Sequence, residues 1–426
     1  MDRKFVYRLV LMLLGSTLPV TWAQDDFVPN YDEEKVPVYS LPDPLIMADG
    51  SAVQSPFDWT QNRRPELLRL FEEEMYGRMP GADVSRISFE ILAEKNDALN
   101  GKATRREVRL FFNAPNPQPK IDLLIYIPNQ REGAVPAFVG LNFQGNVTTS
   151  DEPDILVTEV PDRMRNPGID LGTMRGAVKN RWAYEKIVDR GYAVITGYYE
   201  EIDPDYNDGY RNGVHPLFAG EFPDTESGDY PSSITAWAWG LSRILDILES
   251  FPEIDNKRVI VMGHSRLGKT ALWAGACDER FAAAVSNDSG CGGAALSRRE
   301  FGETTTWISG AMPHWFCRNF QKYRDNVKAM PFDQHELIAL MAPRPVYIAS
   351  AAEDLWADPR GEFLAALNAD PVYRLLGTGG IGDVKSMPEV NWPVGDVIRY
   401  HVRSGDHDVT DYDWEQYLDF ADACVR

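Results

Sequence analysis

The stretch from Val259 to Ala276, VIVMGHSRLGKTALWAGA, sets a serine between an apolar run and a helix-like pattern. The apolar run reads as a buried strand, and the spacing after Ser265 reads as a helix. Ser265 then stands on a sharp corner, its hydroxyl raised above the sheet edge and close to the free N–H groups of a helix start. A serine so placed can attack a carbonyl carbon, provided that a base takes its proton. Gly263 and Gly268 keep side chains away from the place where strand and helix converge. The commoner spacing is G-x-S-x-G. Here the second glycine comes one place later, and Leu267 holds the position expected to be small. An ordinary tight turn is the competing reading of the motif taken alone.

The base can be sought by elimination, because the chain has only six histidines. A corner of this kind resembles the nucleophile turn of α/β-hydrolases, in which the chain order is serine, acid, histidine. His215 and His264 precede Ser265. His314, in MPHWFC, and His335, in FDQHEL, do not follow a strand end. His401 lies inside the apparent strand VIRYHVR, whereas His407 lies in the loop after it, in SGDHDVT. His407 alone has both the order and the place of a general base. Two residues are candidates for the acid that holds the imidazole in its working tautomer. Asp354 follows the strand PVYIASAAE, and Asp288 ends the preceding one, in SNDSG. The adjacent Glu353 would point in a different direction from Asp354.

These residues need a sheet to carry them. IDLLIYI, PAFVGLNF, AVITGYY, RVIVMGHS, AAAVSND, PRPVYIAS and VIRYHVR are short apolar runs without polar alternation. Such runs read as strands covered on both faces. VRLFF (108–112) reads as an antiparallel entry strand. Residues 64–76 have helical spacing at Leu67, Leu70, Phe71 and Met75, and ITAWAWGLSRILDILESF has it at Trp237, Leu241, Ile244, Leu245 and Leu248. The expected class is α/β: a mostly parallel central sheet with helices on both faces, a three-layer sandwich. One domain is expected over 24–426, with a Pro- and acid-rich arm at 24–60 and an insertion near 145–181.

Composition narrows the setting. The chain has 426 residues, of which 44% are hydrophobic, enough for a large core. A net charge of -21 disfavours nucleic acid as a partner. Arg3, Lys4 and Arg8, then an apolar stretch from Leu9 to Val20, then Thr21-Trp22-Ala23, read as a signal peptide over 1–23. That implies a secreted or periplasmic protein without a membrane span. Four cysteines in an oxidising compartment make one or two disulfides an expectation.

GHSRLGK, SNDSGCGGAALSRREFGE, APRPVYIASAAEDLWADP and GDHDVT occur in that order. Together they resemble the bacterial glucuronoyl esterases, and the resemblance runs from about Arg64 to the C-terminus. It implies an α/β-hydrolase fold and a serine esterase acting through a Ser-His-Asp triad and an acyl-enzyme. The implied substrate is the ester between a 4-O-methyl-glucuronic acid side group of xylan and a lignin alcohol. By resemblance, Ser265 is the nucleophile, His407 the base, and Arg266 helps to hold the oxyanion. Lys269, Glu303 and Trp356 match positions that contact the uronoyl sugar. Some members carry a glutamate where Asp288 stands, and others use the acid after the next strand, so the resemblance puts Asp354 first and Asp288 second. Fungal relatives tie this region with disulfides, which implies a Cys291–Cys317 bridge. No metal or organic cofactor is implied, and a monomer is expected. The nearest rival is another carbohydrate esterase, such as an acetyl xylan esterase, which would not need Lys269, Glu303 or Trp356. A serine peptidase would need a peptide pocket or domain, and a carbohydrate-binding protein would not need the serine and histidine.

Overall fold

Along the central strands, successive side chains belong to opposite hydrophobic clusters. Val259 and Val261 join one, and Ile260 and Met262 the other; Val346 and Ile348 are likewise separated from Tyr347 and Ala349. A strand buried on both faces favours apolar residues on both, which is why these runs show little alternation. The computed structural model describes residues 27–158 and 171–426. The signal-peptide reading of 1–23 lies outside the described residues.

The strands are β1 (Ser88–Asp97), β2 (Ala103–Phe111), β3 (Lys120–Pro128), β4 (Val135–Asn142), β5 (Ala193–Tyr198), β6 (Ile254–His264), β7 (Ala283–Asn287), β8 (Val346–Ala351), β9 (Val394–Gly395) and β10 (Ile398–Arg403). They form one sheet in the order β1-β2-β3-β5-β4-β6-β7-β8-β10-β9. From β5 to β10 along that order every neighbour is parallel, while β1, β2, β3 and β9 pair antiparallel. Helices α1 (Arg64–Phe71), α3 (Ser233–Leu248), α4 (Arg266–Cys277) and α5 (Pro359–Leu375) cover one face; α2 (Tyr184–Asp189) and α6 (Asp411–Cys424) cover the other. This is the three-layer α/β-hydrolase arrangement.

The expected strands are all present, and two more join them. β1, SFEILAEKND, is a partly exposed edge strand whose charges face solvent, so it carries no apolar run to announce it. β9 is only two residues long. The expected helix over 64–76 is α1 continued by a π-helical segment, Glu72–Tyr76, that buries Met75 and Tyr76. Nearly all of α3 is buried rather than one face, and its Trp237 satisfies its indole by donating to the Asp203 carbonyl at 2.8 Å.

Residues 27–55 lie on the body as an arm. Glu33 pairs with Arg299 at 2.6 Å and Arg360 at 3.2 Å, and the Asn30 carbonyl accepts from Gly302 N–H at 2.9 Å. In the 145–181 segment the described parts are short 3-10 turns, including Asn146–Thr148, Leu171–Met174 and Lys179–Arg181. Arg181 pairs with Asp408 at 2.6 Å and so reaches the loop after β10.

The tightest backbone approach is at the end of β6. A Cβ on Gly263 would lie 1.9 Å from the Leu267 carbonyl oxygen. Gly263→Ala should therefore lower stability by at least about 3 kcal/mol in urea unfolding. Gly220→Ala, with nothing within 4 Å of its Cβ, should change it by less than about 0.5 kcal/mol.

Candidate active site

β6 ends at His264 and α4 begins at Arg266. Ser265 between them has φ 58° and ψ -129°, a conformation that L residues rarely adopt. It is held there by donating its N–H to the Asn287 carbonyl at 2.9 Å, while its own carbonyl accepts from Gly268 N–H at 2.8 Å. The displaced glycine of the motif has a physical explanation. Leu267 turns into the core, and Gly268 is the residue that closes on the neighbouring strand end. A Cβ there would meet Ser289 Cβ at 3.0 Å and the Asn287 carbonyl at 3.1 Å.

His407 lies in the loop after β10, its side chain 39% exposed, with Nδ1 2.6 Å from Asp354 Oδ2. The ring of His264 packs against it, with centroids 4.3 Å apart, so the residue next to Ser265 touches the imidazole. His264 is buried, and burial together with the nearby His407 holds its pKa well below the usual histidine range. It is a neutral neighbour, its Nδ1 2.5 Å from Asn287 Oδ1.

Both candidate acids are beside the imidazole: one ligand atom each of Asp288, Asp354 and His407 lie within 4.8 Å of one another. They differ in state. Asp288 is fully buried at φ 44°, with Oδ2 3.4 Å from Arg403 and Oδ1 without a hydrogen-bond partner among the described residues. Burial, with Asp354 and Glu362 nearby, pushes its pKa well above the usual carboxylate range despite Arg403. Glu353 turns away, as expected, and meets Gly405 instead.

Arg403 was not anticipated from sequence. It donates to the carbonyls of Ser404 at 3.0 Å, Asp406 at 2.9 Å and Asp408 at 2.6 Å, on both sides of His407. Its Nε pairs with Asp413 at 2.8 Å. One buried guanidinium thus shapes the whole histidine loop. Its place at the end of the strand, just before the histidine loop, is the available signal.

Arg266, following the serine, pairs through Nη1 with Asp205, and its guanidinium lies 4.8 Å from the Trp315 ring centroid and 5.5 Å from that of Phe143. Lys269 is buried. Its ammonium donates to the Ser289 carbonyl at 2.7 Å, the Cys291 carbonyl at 2.6 Å and Glu303 at 3.1 Å, which accounts for all three donors. Glu303 N–H donates to the Trp356 carbonyl at 2.8 Å, so these three sequence-predicted residues form one connected group. The Trp356 ring is half-buried, perpendicular to Trp307 at 4.8 Å and to Phe27 of the arm at 6.2 Å.

The disulfide expectation is corrected. Cys277, Cys291, Cys317 and Cys424 are all free. The expected partners face different groups: Cys317 Sγ is 3.8 Å from the Glu73 carbonyl, and Cys291 neighbours Ser297. Burial pushes both thiols up, Cys317 to about 12, which makes them poor nucleophiles.

The family model described as glucuronyl esterase, fungi, matches residues 183–377. A carbohydrate esterase of an unknown prokaryotic organism is 47% identical, covering 97% of this chain and 97% of its own. A 4-O-methyl-glucuronoyl methylesterase of Wolfiporia cocos is 28% identical, covering 88% of this chain and 82% of its own. The solved glucuronoyl esterase from Solibacter usitatus aligns with a TM-score of 0.87 at 45% identity, over 92% of this chain and 99% of that one.

The state of Asp288 can be read from stability. A carboxyl that keeps its proton when folded and loses it when unfolded costs stability as pH rises above the unfolded value, by about 1.4 kcal/mol per pH unit until the folded group also ionises. Asp288→Asn mimics the protonated form and removes that slope. The stability of the variant relative to the parent should therefore rise with pH above about 4, as measured by urea unfolding at a series of pH values.

Proposed function

The chain belongs to the glucuronoyl esterases of carbohydrate esterase family 15, carboxylic ester hydrolases, and from that premise we propose that it cleaves the ester joining 4-O-methyl-glucuronic acid on xylan to a lignin alcohol. The observation that carries the mechanism is the 2.6 Å contact between His407 Nδ1 and Asp354, with the His407 ring packed on His264, the residue before the strained corner serine. Asp354 keeps the Nδ1 proton in place, which leaves Nε2 as the basic nitrogen. Ser265 attacks the ester carbonyl as His407 takes its proton. Negative charge then forms on the carbonyl oxygen, where Arg266 and the N–H groups at the start of α4 stabilise it. His407 returns the proton to the departing alcohol, and water, activated by the same imidazole, releases the uronic acid from the serine.

Asp354 serves better than Asp288 as the acid because a protonated carboxyl provides no charge to balance an imidazolium. The sugar side consists of Trp356, Glu303 and Lys269. An indole can pack on a pyranose, and a carboxylate can hold its hydroxyls. Lys269 acts largely through Glu303, since a sugar hydroxyl must share or displace one of its three acceptors. The proposed setting is outside the cytoplasm, where the polymer is. No helix among the described residues is long and apolar enough to cross a membrane.

Benzyl glucuronate and acetylated xylan, assayed side by side, test the reading. Uronate ester cleavage should dominate, and Ser265→Ala should remove it by at least about 10⁴-fold without unfolding the protein. Cleavage of acetyl groups alone would move the chain to the acetyl xylan esterases. On benzyl glucuronate, Asp354→Asn should lower kcat by about 10²- to 10⁴-fold, and Asp288→Asn by less than about 10-fold; the reverse order would make Asp288 the acid.

A further inference from the structure

Asp205 and His314 take no part in the chemistry above, yet Asp205 pairs with Arg266 and His314 pairs with Asp205. Asp205 lies in the loop after β5, its side chain 6% exposed, whereas that of Arg266 is 29% exposed. The pair is therefore anchored at its inner end and open at its outer one. Asp205 Oδ2 accepts from Arg266 Nη1 and from the Tyr199 hydroxyl, the latter at 2.8 Å. Asp205 Oδ1 lies 2.9 Å from His314 Nε2 and accepts from Trp315 Nε1 at 2.6 Å. Tyr199 also lies 3.3 Å from Arg266 Nη1, and the Trp315 ring stacks against the guanidinium. Each carboxylate oxygen thus has two partners.

We propose that Asp205 is a positioning residue, which holds the Arg266 guanidinium in the orientation that meets the oxyanion formed on the Ser265 ester. The proposal rests on the reading of Arg266 given above. A bare carboxylate beside Arg266 would cancel its charge. Here the Tyr199, His314 and Trp315 donors draw the negative charge of Asp205 away, so the guanidinium remains electropositive at its exposed end. Burial would raise the Asp205 carboxyl, but the His314 hydrogen bond and the Arg266 charge outweigh it and hold the group far below the usual carboxylate range. The anchor stays ionised at any pH at which the histidine base works. The Phe143 and Trp315 rings, with centroids 5.5 and 4.8 Å from the guanidinium carbon, further confine it.

A double-mutant cycle on benzyl glucuronate tests this. Arg266→Met should lower kcat by about 10²-fold or more. Asp205→Asn should lower kcat by about 10- to 100-fold with KM changed less than about threefold, and should cost almost nothing further once Arg266 is Met. Asp205→Glu should recover part of the loss. If Asp205→Asn costs the same factor in both backgrounds, its role is structural and the proposal is overturned. It is overturned too if Asp205→Asn leaves kcat intact while Arg266→Met does not. An unchanged kcat in Arg266→Met would instead overturn the reading of Arg266 itself. Should Asp205→Asn fail to fold, Tyr199→Phe removes one hydroxyl from the same carboxylate. Its few-fold loss must likewise vanish in the Arg266→Met background, and persistence of the loss there would end the proposal.

Discussion

Buried negative charge gathers at the carboxyl ends of β7, β8 and β10, and one guanidinium sits among it. Asp354, Glu362 and Asp413 all push Asp288 toward its protonated form, and only Arg403 opposes them. Glu362 is itself raised to about 7 by burial, although Ser289 and Gly290 N–H and the Ser289 and Ser350 hydroxyls donate to it. His407 borders this cluster, its Nδ1 2.6 Å from Asp354 Oδ2. The same Arg403 that keeps the carboxylates together also shapes the loop on which His407 stands, so electrostatics and geometry depend on one side chain.

Sequence reasoning reaches some of this and not the rest, for identifiable reasons. The central strands announce themselves because burial on both faces leaves them mostly apolar. The serine corner is visible because Gly263 occupies a place that no side chain could, and Gly268 one where a side chain would be tight. His407 emerges from chain order and a strand end. β1 stays hidden because an exposed edge strand looks like a charged loop. The choice between Asp354 and Asp288 depends on which carboxyl meets the imidazole, and on the burial of Asp288 among charges distant in sequence. The free cysteines have the same origin: an even count and an oxidising compartment suggest bridges, but pairing requires the sulfurs to face each other. The contact between Lys269 and Glu303, and the saturation of the Lys269 ammonium by two main-chain carbonyls, cannot be read from residue types.

The two sides of the site are supported differently. The side proposed for the chemistry is built on strand ends, where a parallel sheet fixes positions. The side proposed for the sugar is built on loops, and each is held from outside the sheet. Arg299 ties Asp358 at 2.8 Å, and Gly302 lies so close to the Leu355–Trp356 backbone that a Cβ would meet carbonyl oxygens at 2.4 and 2.5 Å. The N-terminal arm completes this support, with Glu33 on Arg299 and Arg360, Asn30 on Gly302 and Phe27 on Trp356.

That arm has a consequence for the order of assembly. Glu33 and Arg299 are 266 residues apart, and Glu33 and Arg360 are 327 apart. A ribosome releases the arm early and its docking partners on the order of ten to fifty seconds later. The sheet can collapse around its own near neighbours before the arm has anywhere to bind. The side proposed for the sugar is thus supported across long sequence separations, by residues made well before those they dock on.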